Sequence, residues 1–191
     1  MAEGVAEYQQ NLIANFDLID EVPESTRNSY VRTIYSYGVL CYDLYTVAGN
    51  QARLVLEQAL RERFLPFSGG TVTFIDGAGR EHEVTPARFS ELFDRDNPLV
   101  KPNWRLALRG GRRPIQFNGM LASLLQWARE ERLLGGQRDR WQDKFRVKFR
   151  NYAAHLEYHQ EMPDDAAAEI FHLSELINQI WGAPGGTPAR R

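Results

Sequence analysis

The stretch "YDLYTVAGNQARLVLEQALRERF", residues 42–64, reads as two helices and the joint between them. Leu44 and Val47 close an apolar series that begins at Tyr30 and passes through Ile34, Tyr37, Val39 and Leu40 at near-helical spacing. Ser25, just after Pro23, has the chemistry of an N-cap, so the first helix is expected from Ser25 to about Val47. Gly49-Asn50 then reads as a turn. A second helix follows from about Gln51 to Phe64, with Leu54, Leu56, Ala59, Leu60 and Phe64 on its apolar side. So short a connection makes the two antiparallel neighbours, an αα-hairpin.

The pattern changes after this hairpin. "TVTFIDGAGREHEV", residues 71–84, alternates β-branched and aromatic residues around a Gly-rich turn and predicts a β-hairpin. Thr85-Pro86 has the form of an N-cap with proline at the first helical position, opening a short helix to about Phe93. Residues 94–114, with prolines at 98, 102 and 114, read as mostly irregular, which makes 66–113 an insertion between helical pairs. Helix is expected again from about Ile115 to Leu134, stopped by Gly135-Gly136, and from about Arg138 to Gln160, ended by Pro163. Asp164 or Asp165 is placed to cap a last helix reaching Gly182, and 183–191 reads as a disordered tail. The fold class is therefore mainly α: a bundle of two antiparallel helical pairs with a small β-hairpin insertion, one domain over residues 1–182.

Composition narrows the function classes. With 43% hydrophobic residues in 191, the chain can bury a sizeable core as one domain. No apolar run suits a membrane span, and the first ten residues lack a basic region followed by an apolar one, so a cytoplasmic protein is expected. Cys41 is the only cysteine, which excludes an intrachain disulfide and a cysteine-rich zinc site; its apolar surroundings predict a buried, inert thiol. The net charge of −2 conceals an uneven distribution. Residues 1–100 carry 8 Lys/Arg against 15 Asp/Glu, while residues 101–150 carry 13 against 4. Such a basic block fits a polyanion such as RNA, or pairing with the acidic parts within the fold or across a dimer.

A second stretch, "KFRNYAAHLEYH" at 148–159, lies in that block and holds half of the chain's 4 histidines. On a helix, Trp141, Phe145, Phe149, Tyr152 and Leu156 form an apolar stripe. Beside it runs a polar stripe of Lys144, Lys148, Asn151, His155 and His159, spanning roughly 80° of arc with no acid in it, a surface suited to a phosphate-bearing ligand. His155 and His159 have i,i+4 spacing without an HExxH pattern, so no metal site and no cofactor are assigned. Glu57 and Arg61 read as an intrahelical ion pair, with a place in the same groove as the other reading; His82 and His172 read as structural or exposed.

"RNYAAH", 150–155, resembles the signature of HEPN-domain ribonucleases, an arginine followed by a polar residue and, four to six positions on, a histidine. "YDLYTVAGNQARLVLEQALRERF" likewise resembles the first helical hairpin of HEPN-like bacterial proteins. The resemblance covers about 25–65 and 115–182. It implies a metal-independent endoribonuclease, formed by a homodimer, in which 2′-hydroxyl attack leaves a 2′,3′-cyclic phosphate and a 5′-hydroxyl. Arg150 would hold the phosphoryl oxygens, His155 would move protons and Asn151 would orient the imidazole or the phosphate, while Lys144, Lys148 and His159 would bind substrate. Arg150 and His155 lie about 140° apart on an ideal helix, so a shared site needs a distorted helix, a wrapped arginine or a contribution from the second copy. A toxin or phage-defence role, and an antitoxin or regulatory partner protein, follow from the same resemblance. The alternative is a non-catalytic HEPN-like module that binds RNA or protein.

Overall fold

The computed structural model describes residues 4, 7, 17–27, 30–135 and 161–182. It is mainly helical, with a small antiparallel four-stranded sheet. In chain order the described elements are α1 (Glu24–Arg27), α2 (Val31–Tyr37), α3 (Asp43–Ser68), β1 (Val72–Ile75), β2 (Glu81–Val84), a 3-10 turn (Phe89–Phe93), β3 (Arg105–Leu106), a second 3-10 turn (Arg109–Gly111), β4 (Ile115–Gln116), α4 (Leu121–Glu130) and α5 (Pro163–Gly182).

The αα-hairpin exists, but its joint lies elsewhere. Gly49 and Asn50 sit inside α3, which runs unbroken for 26 residues, and the chain reverses at Gly38–Tyr42. Gly38 allows this reversal because the Tyr45 ring packs on its Cα, where a Cβ would stand 2.4 Å from Cε1. Tyr35 meets Tyr45 edge-on at 5.1 Å, and Thr26 donates to Glu62 (2.9 Å), so α1 and α2 run antiparallel along α3. Cys41, placed in the reversal, is exposed rather than buried. At the other end α3 runs past Phe64 through Pro66. Proline is tolerated there because the helix closes within one turn on Gly69, whose φ of +73° suits a residue without a side chain.

The inserted segment is more ordered than its composition suggests. β1 and β2 form the expected hairpin, in register Phe74↔His82. The supposedly irregular region contributes β3 and β4, giving the order β2-β1-β3-β4. Thr85-Pro86 opens no α-helix; only the 3-10 turn at Phe89–Phe93 forms, and Ile115 belongs to β4 instead of a helix. Val72, Phe74, Leu106 and Ile115 turn one face of the sheet into the core.

Phe64 joins the two parts. Its ring stacks on Phe117 (4.8 Å, 12°) and meets Trp127 and Phe89 edge-on at 4.9 and 5.4 Å. A buried aromatic of this kind is worth about 3–5 kcal/mol against alanine, so the insertion is bonded to the bundle and not merely tethered to it.

Helix α5 packs on α3 with both chains advancing the same way: Thr46 meets Glu161, Arg53 meets Glu169 and Arg63 meets Trp181. Among the described residues, no helix is long and apolar enough to cross a membrane.

Candidate functional site

The sequence-predicted site residues Lys144, Lys148, Arg150, Asn151, His155 and His159 lie outside the described residues. What is described is the point at which the chain emerges from that segment, and it is built around a buried arginine. Arg53, only 6% exposed, projects from α3 between two carboxylates. Its Nη2 donates to Glu161 Oε1 (2.7 Å) and its Nε to Glu169 Oε1 (3.3 Å), while Nη1 donates to Asn50 Oδ1 (2.8 Å). The Glu161 backbone N–H donates to Thr46 Oγ1 (2.8 Å).

Gly49 completes this arrangement. The Glu161 carboxylate rests so near its Cα that a Cβ would stand 2.1 Å from Oε2. Glu161 Oε2 is buried and accepts no hydrogen bond from the described residues. Tyr35 and Tyr42 fix the next two residues, donating to the Pro163 carbonyl (3.1 Å) and to Met162 Sδ (3.0 Å). A buried pair adds little net stability over apolar packing, but breaking one costs about 3–5 kcal/mol because the orphaned charge stays buried. Chemically, the cluster can hold the chain at residues 161–163 in one position.

Glu57 and Arg61 form the expected ion pair one helical turn apart, at 2.5 Å, with Glu57 buried. Arg61 also reaches the Gly119 carbonyl (3.4 Å). At the C-terminal end of α3, Arg63 is buried over the Trp181 ring. Burial and the nearby Arg109 guanidinium push its pKa below the usual arginine value.

His82 is structural in its setting: it stacks on Trp104 (4.1 Å, 11°) and shares a hydrogen bond with Asp76 Oδ2 (3.1 Å). Asp76 also accepts from the Arg80 and Ala78 backbone N–H groups and from Arg80 Nε, and these bonds, the Arg80 backbone one first, hold its carboxyl well below the usual carboxylate range. His172 is half-buried on α5. Among the described residues, no group of three or more His, Cys, Asp or Glu is placed to hold a metal ion.

The Arg53–Glu161–Glu169 cluster escaped the sequence reading. Its signal was a charged residue beside Ala52, Val55 and Leu56, on positions that the long helix buries. No protein-family model, no curated protein and no solved structure matches the chain.

Proposed function

We propose that the chain is a metal-independent endoribonuclease of the HEPN type that acts as a homodimer. The observation that supports this reading is the placement of the two described ends that flank residues 136–160. Glu131 lies at the C-terminal end of α3, where it accepts from the Arg109 backbone N–H while the Arg109 guanidinium donates to the Phe67 carbonyl. Glu161 lies at the N-terminal end, on Thr46. Thr46 and Phe67 are about 32 Å apart along a helix rising 1.5 Å per residue. The segment that joins these two ends is the one that carries Arg150, Asn151 and His155, and the sequence reading makes it helical.

In this mechanism His155 takes the proton of the 2′-hydroxyl, whose oxygen attacks the adjacent phosphorus. The P–O5′ bond breaks, and the leaving oxygen receives a proton from His155 of the partner subunit, so that one imidazole serves as base and the other as acid. Arg150 neutralises the charge that builds on the phosphoryl oxygens, and Asn151 orients the imidazole or the phosphate. Lys144, Lys148 and His159 hold the flanking strand. The buried ion cluster at Glu161 fixes the chain two residues beyond His159.

The test is incubation of the purified protein with mixed cellular RNA and a tRNA pool in EDTA, beside folded Arg150→Ala and His155→Ala variants. Cleavage to cyclic-phosphate and 5′-hydroxyl ends, lost in both variants, is expected. Cleavage that persists in both would overturn the assignment of these residues, and no cleavage by the folded dimer would shift the reading to a binding module.

A further inference from the structure

Residues 97–129 contain no Asp or Glu, yet hold Lys101, Arg105, Arg109, Arg112, Arg113 and Arg129. The fold divides these cations into two groups. Arg109 lies over the Phe67 ring (3.9 Å) and donates to its carbonyl; Arg112 approaches Glu131 at 3.8 Å; Arg129 donates to the Gly135 carbonyl (3.3 Å). Lys101, Arg105 and Arg113 are exposed and form no ion pair with a described carboxylate, the Lys101 ammonium lying over the Trp104 ring at 5.7 Å.

These three lie along the β3–β4 edge of the sheet. Arg105 and Gln116 are opposed across β3 and β4 and exposed, whereas Leu106 and Ile115 beside them are buried. The backbone turn from Trp104 N–H to the Lys101 carbonyl (3.0 Å) brings Lys101 up to Arg105. Chain geometry keeps Lys101 and Arg113 within roughly 16 Å of Arg105. The segment is held in place: His82 stacks on Trp104, and Gln116 Nε2 donates to the Pro102 carbonyl (3.4 Å).

We propose that this edge, with Lys101, Arg105 and Arg113 along β3 and β4 of the inserted sheet, docks the phosphate backbone of RNA. The inference rests on the RNA part of the reading above and not on cleavage. Charge complementarity carries it. Two guanidinium forks and an ammonium, all open to solvent on a rigid support, suit phosphate oxygens. Exposed acids stand away from this edge: Glu81, in the same cross-strand row as Arg105, and Glu83 on the far strand β2, and Asp94 and Asp96 in the turn before Lys101. They repel a polyanion and confine it to the lane along β3 and β4. The insertion thus supplies a second contact, remote in sequence from the polar stripe at 144–159, and recruits the strand to be cut.

Binding of a fluorescein-labelled single-stranded RNA of mixed sequence, followed by anisotropy in EDTA, tests this. A His155→Ala background removes any cleavage, so failure of the nuclease reading leaves the readout intact. Combining Lys101→Ala, Arg105→Ala and Arg113→Ala is expected to weaken binding about tenfold or more near physiological salt. The slope of log affinity against log salt should become shallower by about 2. Glu81→Gln with Glu83→Gln should leave binding unchanged or tighten it, and an unaltered thermal midpoint checks each fold. Wild-type affinity and slope in the triple variant would overturn the proposal, as would equal displacement of the RNA by an oligoglutamate of matched charge.

Discussion

The Cα of Gly49 lies against the carboxylate of Glu161, close enough that a methyl group would stand 2.1 Å from Oε2 and 2.9 Å from Cδ. In an exposed helix, glycine to alanine stabilises by about 1 kcal/mol. Here the methyl displaces Glu161 from Arg53, and the cost of breaking a buried pair, about 3–5 kcal/mol, outweighs that gain. Gly49→Ala should therefore destabilise by about 2–4 kcal/mol in urea unfolding, and adding Glu161→Ala should restore part of the loss. A more stable Gly49→Ala protein would refute the close approach.

Asp76 carries the acid sensitivity of the β-hairpin. Its folded pKa is depressed by the Arg80 backbone N–H and the other donors around it. The stability it contributes is therefore complete above the unfolded aspartate value near 3.9 and is lost as pH falls below it towards the folded value. Asp76→Asn should lower the thermal midpoint at pH 6, and its gap from wild type should narrow by pH 3. A gap independent of pH would show that the charge of Asp76 is not what holds the turn.

Arg132, just past α4, is the one described non-glycine residue with positive φ, at +62°. The next N–H, of Leu133, donates back to the Ala128 carbonyl (2.8 Å), the C-terminal closure that glycine serves best. Because Arg132 is exposed, Arg132→Gly removes Cβ strain without opening the core. It should raise stability by about 1 kcal/mol in denaturant unfolding. A loss of similar size would mean that the arginine side chain contributes more than the strain costs.

Cys41 offers an inexpensive check of the reversal at Gly38–Tyr42. An exposed thiol should react with Ellman's reagent in native buffer at a rate close to that of the unfolded chain. Reaction only after denaturation would place Cys41 in the core and reopen the position of the joint.

The sequence by itself determined the elements whose information is local. The alternation in "TVTFIDGAGREHEV" specified the β1–β2 hairpin, because strand period and turn chemistry lie within fourteen residues of chain. The end of the last helix at Gly182 was legible for the same reason, although the helix opens at Pro163, ahead of the expected cap at Asp164 or Asp165; so was the Glu57–Arg61 pair, which helical spacing alone brings together. The proposed catalytic residues come from sequence alone.

Tertiary structure decided what depends on partners distant in the chain. A glycine that makes a turn and a glycine that admits another segment look alike in sequence, so Gly49 marked a joint until Glu161 was found against it. Nothing in the sequence sets Arg53 apart from other helical arginines; two carboxylates from beyond residue 160 enclose it. β3 and β4, two residues each, have no pattern of their own, and they exist because β1 offers an edge that pairs Arg105 and Leu106. Burial, pairing and close approach are properties of pairs of residues, and a single chain position shows only one member of each pair.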